Sequence, residues 1–198
     1  MEAAAAVKSP NLEGPDTTLP RRVLELRRNP CPLERELTKK ENVELYREFF
    51  ALVQKLDEAR IDYAVVGGIA LAFHGQPRFT KDIDILAKPA DLETYERVFA
   101  ELGYFKTSSP WTFSNTNITL HRFGKPSADH PEELILVDLL IGNEEVHRKI
   151  IERSLSDSSA AGKVMLATKE DLIWMKKQRS SKQDEADIES LESNHDKN

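Results

Sequence analysis

The chain has 198 residues, a formal net charge of −6, 39% hydrophobic and 31% charged residues, and a single cysteine, Cys31. That length suits one domain with a sizeable core and is short for two, and a lone cysteine excludes an internal disulfide and makes a reducing cytoplasm the expected setting. No apolar run reaches the roughly 20 residues that cross a bilayer, and the opening MEAAAAVKSP has neither a basic region nor a long apolar region of the secretory kind, so no membrane partner is expected.

Residues 1–37 read as a disordered or loosely attached arm, of which 1 to about 20 are Ala-rich, then Pro-rich, with little apolar content and no period. Around the end of this arm, residues 21–40 hold seven basic residues (Arg21, Arg22, Arg27, Arg28, Arg35, Lys39, Lys40) against three acids (Glu25, Glu34, Glu36), a local balance of +4. Such a stretch is either a solvated arm or a contact for a phosphate backbone. A single domain is expected over 38–192, with 193–198 as a frayed tail.

The domain opens on Thr38 and Glu41, spaced as a capping box, and Val43, Tyr46, Phe49, Phe50, Val53 and Leu56 follow at helical spacing to about Arg60. Tyr63–Val66 is predicted as a strand, Gly68–His74 as a short helix and Asp82–Ala87 as a second strand stopped by Pro89. Asp91 is placed to cap a helix with Leu92, Tyr95, Val98, Phe99 and Leu102 on one face, ended by Gly103. Short extended pieces are expected near Trp111–Phe113 and Ile118–Phe123, with GKPSADHPEE as a loop. The run LILVDLLIG, 134–142, is apolar on both faces save one residue, as a central strand would be. A helix over about 143–153, a strand near Lys163–Leu166, a helix capped by Thr168 with Asp171 and a last helix over about Gln183–Leu191 complete the chain. The mixture lacks a regular βαβ rhythm, so the expected class is α/β (α+β) with a mixed β-sheet flanked by helices.

Three features carry chemistry. In a strand Asp82 and Asp84 point to one face, side by side, while Ile83 and Ile85 face the core. Two adjacent carboxylates repel unless something positive lies between them, so the pair is either an exposed acidic strand end or a metal site. Asp138 sits among Leu136, Val137, Leu139 and Leu140, where an unpaired carboxylate costs several kcal/mol or is neutralised. A cation shared by all three acids resolves both problems if their strands are neighbours, and hard oxygen ligands suit Mg²⁺. Gly67-Gly68, between a strand and a helix, is either a tight turn or a seat for phosphate without side chains in the way. The glycines fit neither G-x-G-x-x-G nor G-x-x-x-x-G-K-[ST].

The order Val66-Gly67-Gly68, Asp82-Ile83-Asp84-Ile85 and Val137-Asp138-Leu139 resembles the polymerase-β-like nucleotidyltransferase superfamily, over about residues 40–192. Arg78-x-Thr80-x-Asp82 and the closing TKEDLIWMKKQRSSKQDEADIESL look like the small bacterial nucleotidyltransferases of the abortive-infection and toxin–antitoxin type. The resemblance implies a nucleotidyltransferase fold and an enzyme that moves a nucleoside monophosphate from an NTP to an acceptor hydroxyl or phosphate, releasing pyrophosphate. It implies two Mg²⁺ ions on the catalytic acids Asp82, Asp84 and Asp138, and a polyphosphate seated by Gly67 and Gly68. Arg78 and Thr80 either touch phosphate or order their loop, and Lys182 is a further phosphate candidate, although Arg179 is separated from it and Gln183 precedes Asp184. Rival readings are a nucleotide-binding antitoxin or regulatory module without turnover, and a toxin that adds nucleotides to tRNA. The acceptor is open among tRNA, protein and small molecules; about fifty residues follow the Asp138 strand, too few for a large acceptor domain, so a partner subunit or homodimer is expected to complete the site.

Other residues fit ordinary roles. Lys81 points away from Asp82 and belongs to the surface, His74 ends a short helix, and Trp111, Phe113 and Tyr104 either stack a base or pack the core. His121, His130, His147 and His195 show no metal-ligand spacing.

Overall fold

The computed structural model describes residues 40–113, 116–159, 162–179 and 181–193. Thr38, the arm 1–37 and the tail beyond Ser193 lie outside the described residues, and with them the expected capping box.

Helix α1, Lys40–Glu58, buries Leu45, Tyr46, Phe49, Leu52, Val53 and Leu56. Val43, expected on that face, stands exposed, and Leu45 and Leu52 carry the stripe with Phe50 only half-buried. Strand β1, Ala64–Val66, runs straight into helix α2, Gly67–Phe73, and strand β2 covers Asp82–Ala87. A turn of 3₁₀ helix, Pro89–Asp91, precedes helix α3, Leu92–Glu101. Asp91 therefore does not cap α3 with its side chain. Pro89 starts the turn early and leaves Asp91 inside it at φ −98°, ψ −1°, without the extended backbone that aims a cap. Gly103, at φ +86°, ends α3 in the left-handed region, as expected.

Strands β3 (Phe105–Lys106), β4 (Trp111–Thr112), β5 (Ile118–Pro126) and β6 (Leu134–Gly142) follow, then helix α4, Glu145–Glu152. The expected loop from Gly124 begins later than its composition suggests. Pairing with β6 continues through Gly124↔Leu136 to Pro126↔Leu134, and the space at Gly124 is filled by Thr107 and Leu134. Strand β7, Leu155–Ser159, is polar, has no apolar alternation and, among the described residues, pairs with β8, Gly162–Leu166, alone, which is why no sequence signal marks it. Helices α5, Lys169–Arg179, and α6, Lys182–Ser193, close the described chain, and the Asp171 N–H donates to Thr168 Oγ1 at 3.1 Å as the capping reading requires.

The sheet order is β3-β5-β6-β2-β1-β8-β7, with β4 on β5. The β2/β6 and β1/β8 pairs are parallel and the rest antiparallel, a mixed sheet flanked by helices. One face carries Ile83, Ile85, Val137, Leu139 and Phe123; Phe99 of α3 meets Phe123 edge-on at 4.7 Å there. The opposite face carries Asp84 and Asp138, with Leu172 and Trp174 of α5 closing over part of it. No helix among the described residues is long and apolar enough to cross a membrane.

Candidate active site

Strand register brings the acids together. Val66 pairs with Asp84, Asp84 with Asp138 and Asp138 with Arg122, a single row across β1, β2, β6 and β5. Partnered residues of neighbouring strands project to the same face, so Asp82, two residues before Asp84, joins this row. One carboxylate oxygen from each of Asp82, Asp84 and Asp138 lies within 4.8 Å of the others. Asp138 is 4% exposed and the other two are half-buried.

The glycine pair makes room for this arrangement. Gly67 has φ +64°, and a Cβ on it would stand 1.9 Å from Asp84 Oδ2. A Cβ on Gly68 would stand 2.6 Å from Thr80 Cβ. Thr80, buried behind Gly68, donates from Oγ1 to Asp82 Oδ1 at 3.0 Å and fixes that carboxylate. Both glycines thus admit a residue of the acid strand or of the loop leading to it, which the turn reading alone does not explain.

Burial pushes the Asp84 carboxyl up to about 7, helped by Asp82 and then Asp138, against the pull of Arg179 and Lys176. The one cation in direct contact with the triad, among the described residues, is Arg122. It donates from Nε to Asp138 Oδ1 at 2.7 Å and from Nη2 to Asp138 Oδ2 at 2.6 Å, the two-pronged geometry of the strongest carboxylate pairs. Its guanidinium lies 5.6 Å from the ring centroid of Trp111, which is 39% exposed. Three acids against one guanidinium leave an excess of negative charge in a half-dry site, and the donors are all hard oxygens, so the residues fit Mg²⁺.

A cavity continues from Asp84 and Gly67 between β4–β5 and α5, walled by Phe113, Ile118, Leu140, Leu172, Trp174 and Met175, with Lys176, Arg179 and Asp184 at its polar side. Arg179 lies over Phe113 at 5.6 Å, its side chain 53% exposed, and reaches Asp184 only at 3.8 Å. Lys176 is buried and bonds Asp187 Oδ2 at 2.6 Å.

Of the residues singled out from the sequence, Asp82, Asp84, Asp138, Gly67, Gly68 and Thr80 meet at one place. Arg78 is held elsewhere: its Nε pairs with Asp187 of α6 at 3.0 Å and its Nη1 donates to the Phe79 carbonyl at 3.0 Å, so it ties the loop to α6. Lys182 begins α6 as an exposed residue. Lys81 is exposed, and His74 caps the end of α2 with Nε2 2.8 Å from the Ala167 carbonyl. Tyr104 is core, whereas Trp111 and Phe113 face the site's edge. Arg122 and Lys176 went unmarked, since an arginine in ITLHRFGKP gains meaning only once the register sets it opposite Asp138.

Comparison with known proteins agrees with this geometry. A family described as "Nucleotidyl transferase of unknown function (DUF2204)" matches residues 45–198. No curated protein matched by sequence. Among solved structures, an antigenic nucleotidyltransferase-like protein from Paracoccidioides brasiliensis is 22% identical, with 75% of each chain covered and a TM-score of 0.50. ANT(2")-Ia in complex with adenylyl-2"-tobramycin is 14% identical, covering 75% of this chain and 87% of that one, with a TM-score of 0.50. These two likenesses are of fold. With the glycine pair and all three acids inside the matched region, the chain belongs to this nucleotidyl transferase family.

Proposed function

We propose that this protein transfers a nucleoside monophosphate from an NTP to an acceptor hydroxyl or phosphate, with Mg²⁺ held by Asp82, Asp84 and Asp138. The observation that carries the reading is the convergence of the three carboxylates, within 4.8 Å, on a face open to a cavity. In the reaction an acceptor oxygen forms a bond to the α-phosphorus, the bond from that phosphorus to the bridging oxygen breaks, pyrophosphate leaves and the acceptor proton passes to water. Mg²⁺ held by Asp82, Asp84 and Asp138 would lower the acceptor's pKa and offset charge on the departing pyrophosphate.

The protein's own residues position and neutralise. In this reading Asp82 and Asp84 would hold both ions, and Asp138 would complete the acceptor-side set. Thr80 holds Asp82 in its orientation. Gly67 and Gly68 seat the polyphosphate at the start of α2, and Arg179, exposed at the polar side of the cavity and attracting Asp84, is better placed to meet it than Arg78 or Lys182. The half-buried Phe113 and the neighbouring apolar wall offer a surface for a base.

The test is transfer from α-labelled ATP, CTP, GTP and UTP with Mg²⁺ to tRNA, to protein and to small polyhydroxyl acceptors including an aminoglycoside, since ANT(2")-Ia is seen with an adenylylated one. Label in an acceptor, lost in Asp82→Asn and Asp84→Asn, is the expected result. Full activity in either variant contradicts the reading, and Mg²⁺-dependent NTP binding without turnover on any acceptor points to a regulatory module instead.

A further inference from the structure

Arg122 spends its whole fork on Asp138, both oxygens at 2.7 and 2.6 Å. The pairing is built in rather than incidental. Arg122 is the ladder partner of Asp138, so backbone pairing alone sets the two side chains beside each other, and the Trp111 ring limits where the guanidinium can go on its other side. Asp82 and Asp84 have no such partner among the described residues: Asp82 receives the Thr80 hydroxyl, and Asp84 borders Gly67 and the cavity. The triad is thus asymmetric, with one acid covered by a fixed positive charge and two left open.

We propose that Arg122 is a positioning residue that gates divalent-cation binding at Asp138: it holds the carboxylate oriented when no ion is bound, and competes with any ion that Asp138 shares. This rests on the metal-centre reading above. A carboxylate has about four lone-pair sites, so a fork that uses one on each oxygen leaves donors available. The competition is therefore one of charge, since a guanidinium a few ångströms from a divalent ion repels it strongly in a half-dry site. The open pair Asp82 and Asp84 accepts an ion first, and the Asp138-dependent ion follows only when Arg122 shifts toward another anion, for which the incoming polyphosphate is the natural candidate. A strand residue then makes completion of the centre depend on nucleotide.

The experiment is Mn²⁺ binding by electron paramagnetic resonance, without nucleotide, to wild type, Arg122→Met, Arg122→Lys and Asp82→Asn, with thermal unfolding of each beside it. Arg122→Met keeps the stem and removes the charge, and is expected to bind Mn²⁺ on the order of tenfold more tightly. Arg122→Lys keeps the charge without the fork and is expected to stay near wild type in affinity while losing the orientation of Asp138, which lowers kcat more than it raises KM. Wild type binding Mn²⁺ with Arg122→Met equal or weaker overturns the gate alone. No Mn²⁺ bound by either protein, or binding that Asp82→Asn leaves unchanged, overturns the metal centre and the gate with it. Should Arg122→Met fail to fold, Arg122→Met/Asp138→Asn, which removes both charges, decides: Mn²⁺ affinity in it below that of Asp138→Asn alone contradicts repulsion by Arg122.

Discussion

Asp82, Asp84 and Asp138 on the sheet, and Asp184 and Asp187 between α5 and α6, are both groups of acids held away from water, and they are balanced in opposite ways. Asp187 receives Lys176 at 2.6 Å, Arg78 at 3.0 Å and the Gln183 amide at 2.9 Å. Asp184 receives the Ser181 hydroxyl at 2.6 Å and Lys176 at 3.4 Å. Burial pushes Asp184 up, but Ser181, Arg179 and Lys176 together hold it below the usual carboxylate range. The triad has three acids and, among the described residues, Arg122 alone in contact, and Asp84 is pushed up to about 7. A carboxylate group matched by its surroundings fastens helices together, whereas one left short of positive charge is waiting for a ligand.

The contrast breaks most visibly on activity. Asp84→Asn removes a carboxylate of the proposed metal centre and should lower transfer on the order of a thousandfold, equivalent to about 4 kcal/mol of barrier, with the circular dichroism spectrum unchanged. The matched cluster should answer in stability instead: Lys176→Met removes the buried cation that Asp184 and Asp187 share and should cost about 3 kcal/mol in denaturant unfolding. An equal loss of stability in Asp84→Asn would erase the distinction. Gly67→Ala sits between the two, since a side chain at φ +64° that collides with Asp84 should cost about 1–2 kcal/mol for the backbone alone, and should also weaken metal binding.

A further effect is on pH, and its sign differs between the clusters. The folded pKa of Asp84 lies above its unfolded value of 3.8, so its contribution to stability is present below that value and lost as pH rises through about 7. Asp184 is held low when folded, so its contribution is present above 3.8 and fades as pH falls below it. In the metal-free protein, melting temperature should therefore decline from acid toward neutral pH, less steeply in Asp84→Asn and less steeply with Mg²⁺ added.

Much of this was legible in the residues. Asp138 announced itself because a carboxylate in LILVDLLIG has no apolar excuse, and Asp82-x-Asp84 because strand alternation puts both on one face. The central strands and long helices follow from hydrophobic period. What escaped depends on contacts between distant segments. Arg122 is one basic residue in a mixed strand until the β5/β6 register pairs it with Asp138, and Lys176 is part of a basic run until α6 folds back on α5. Arg78 is open in sequence between a phosphate contact and a tie that orders its loop, and in space it is tied to Asp187. The short edge strands β3 and β7 escaped because pairing, not pattern, makes them.

The most direct test of the central claim is anomalous diffraction from crystals grown with Mn²⁺ and a non-hydrolysable NTP analogue. The under-compensated triad should show a peak within about 2.3 Å of oxygens from Asp82, Asp84 and Asp138, and the matched pair Asp184 and Asp187 should show none. A triad without a peak, in crystals whose nucleotide is bound, would contradict the account.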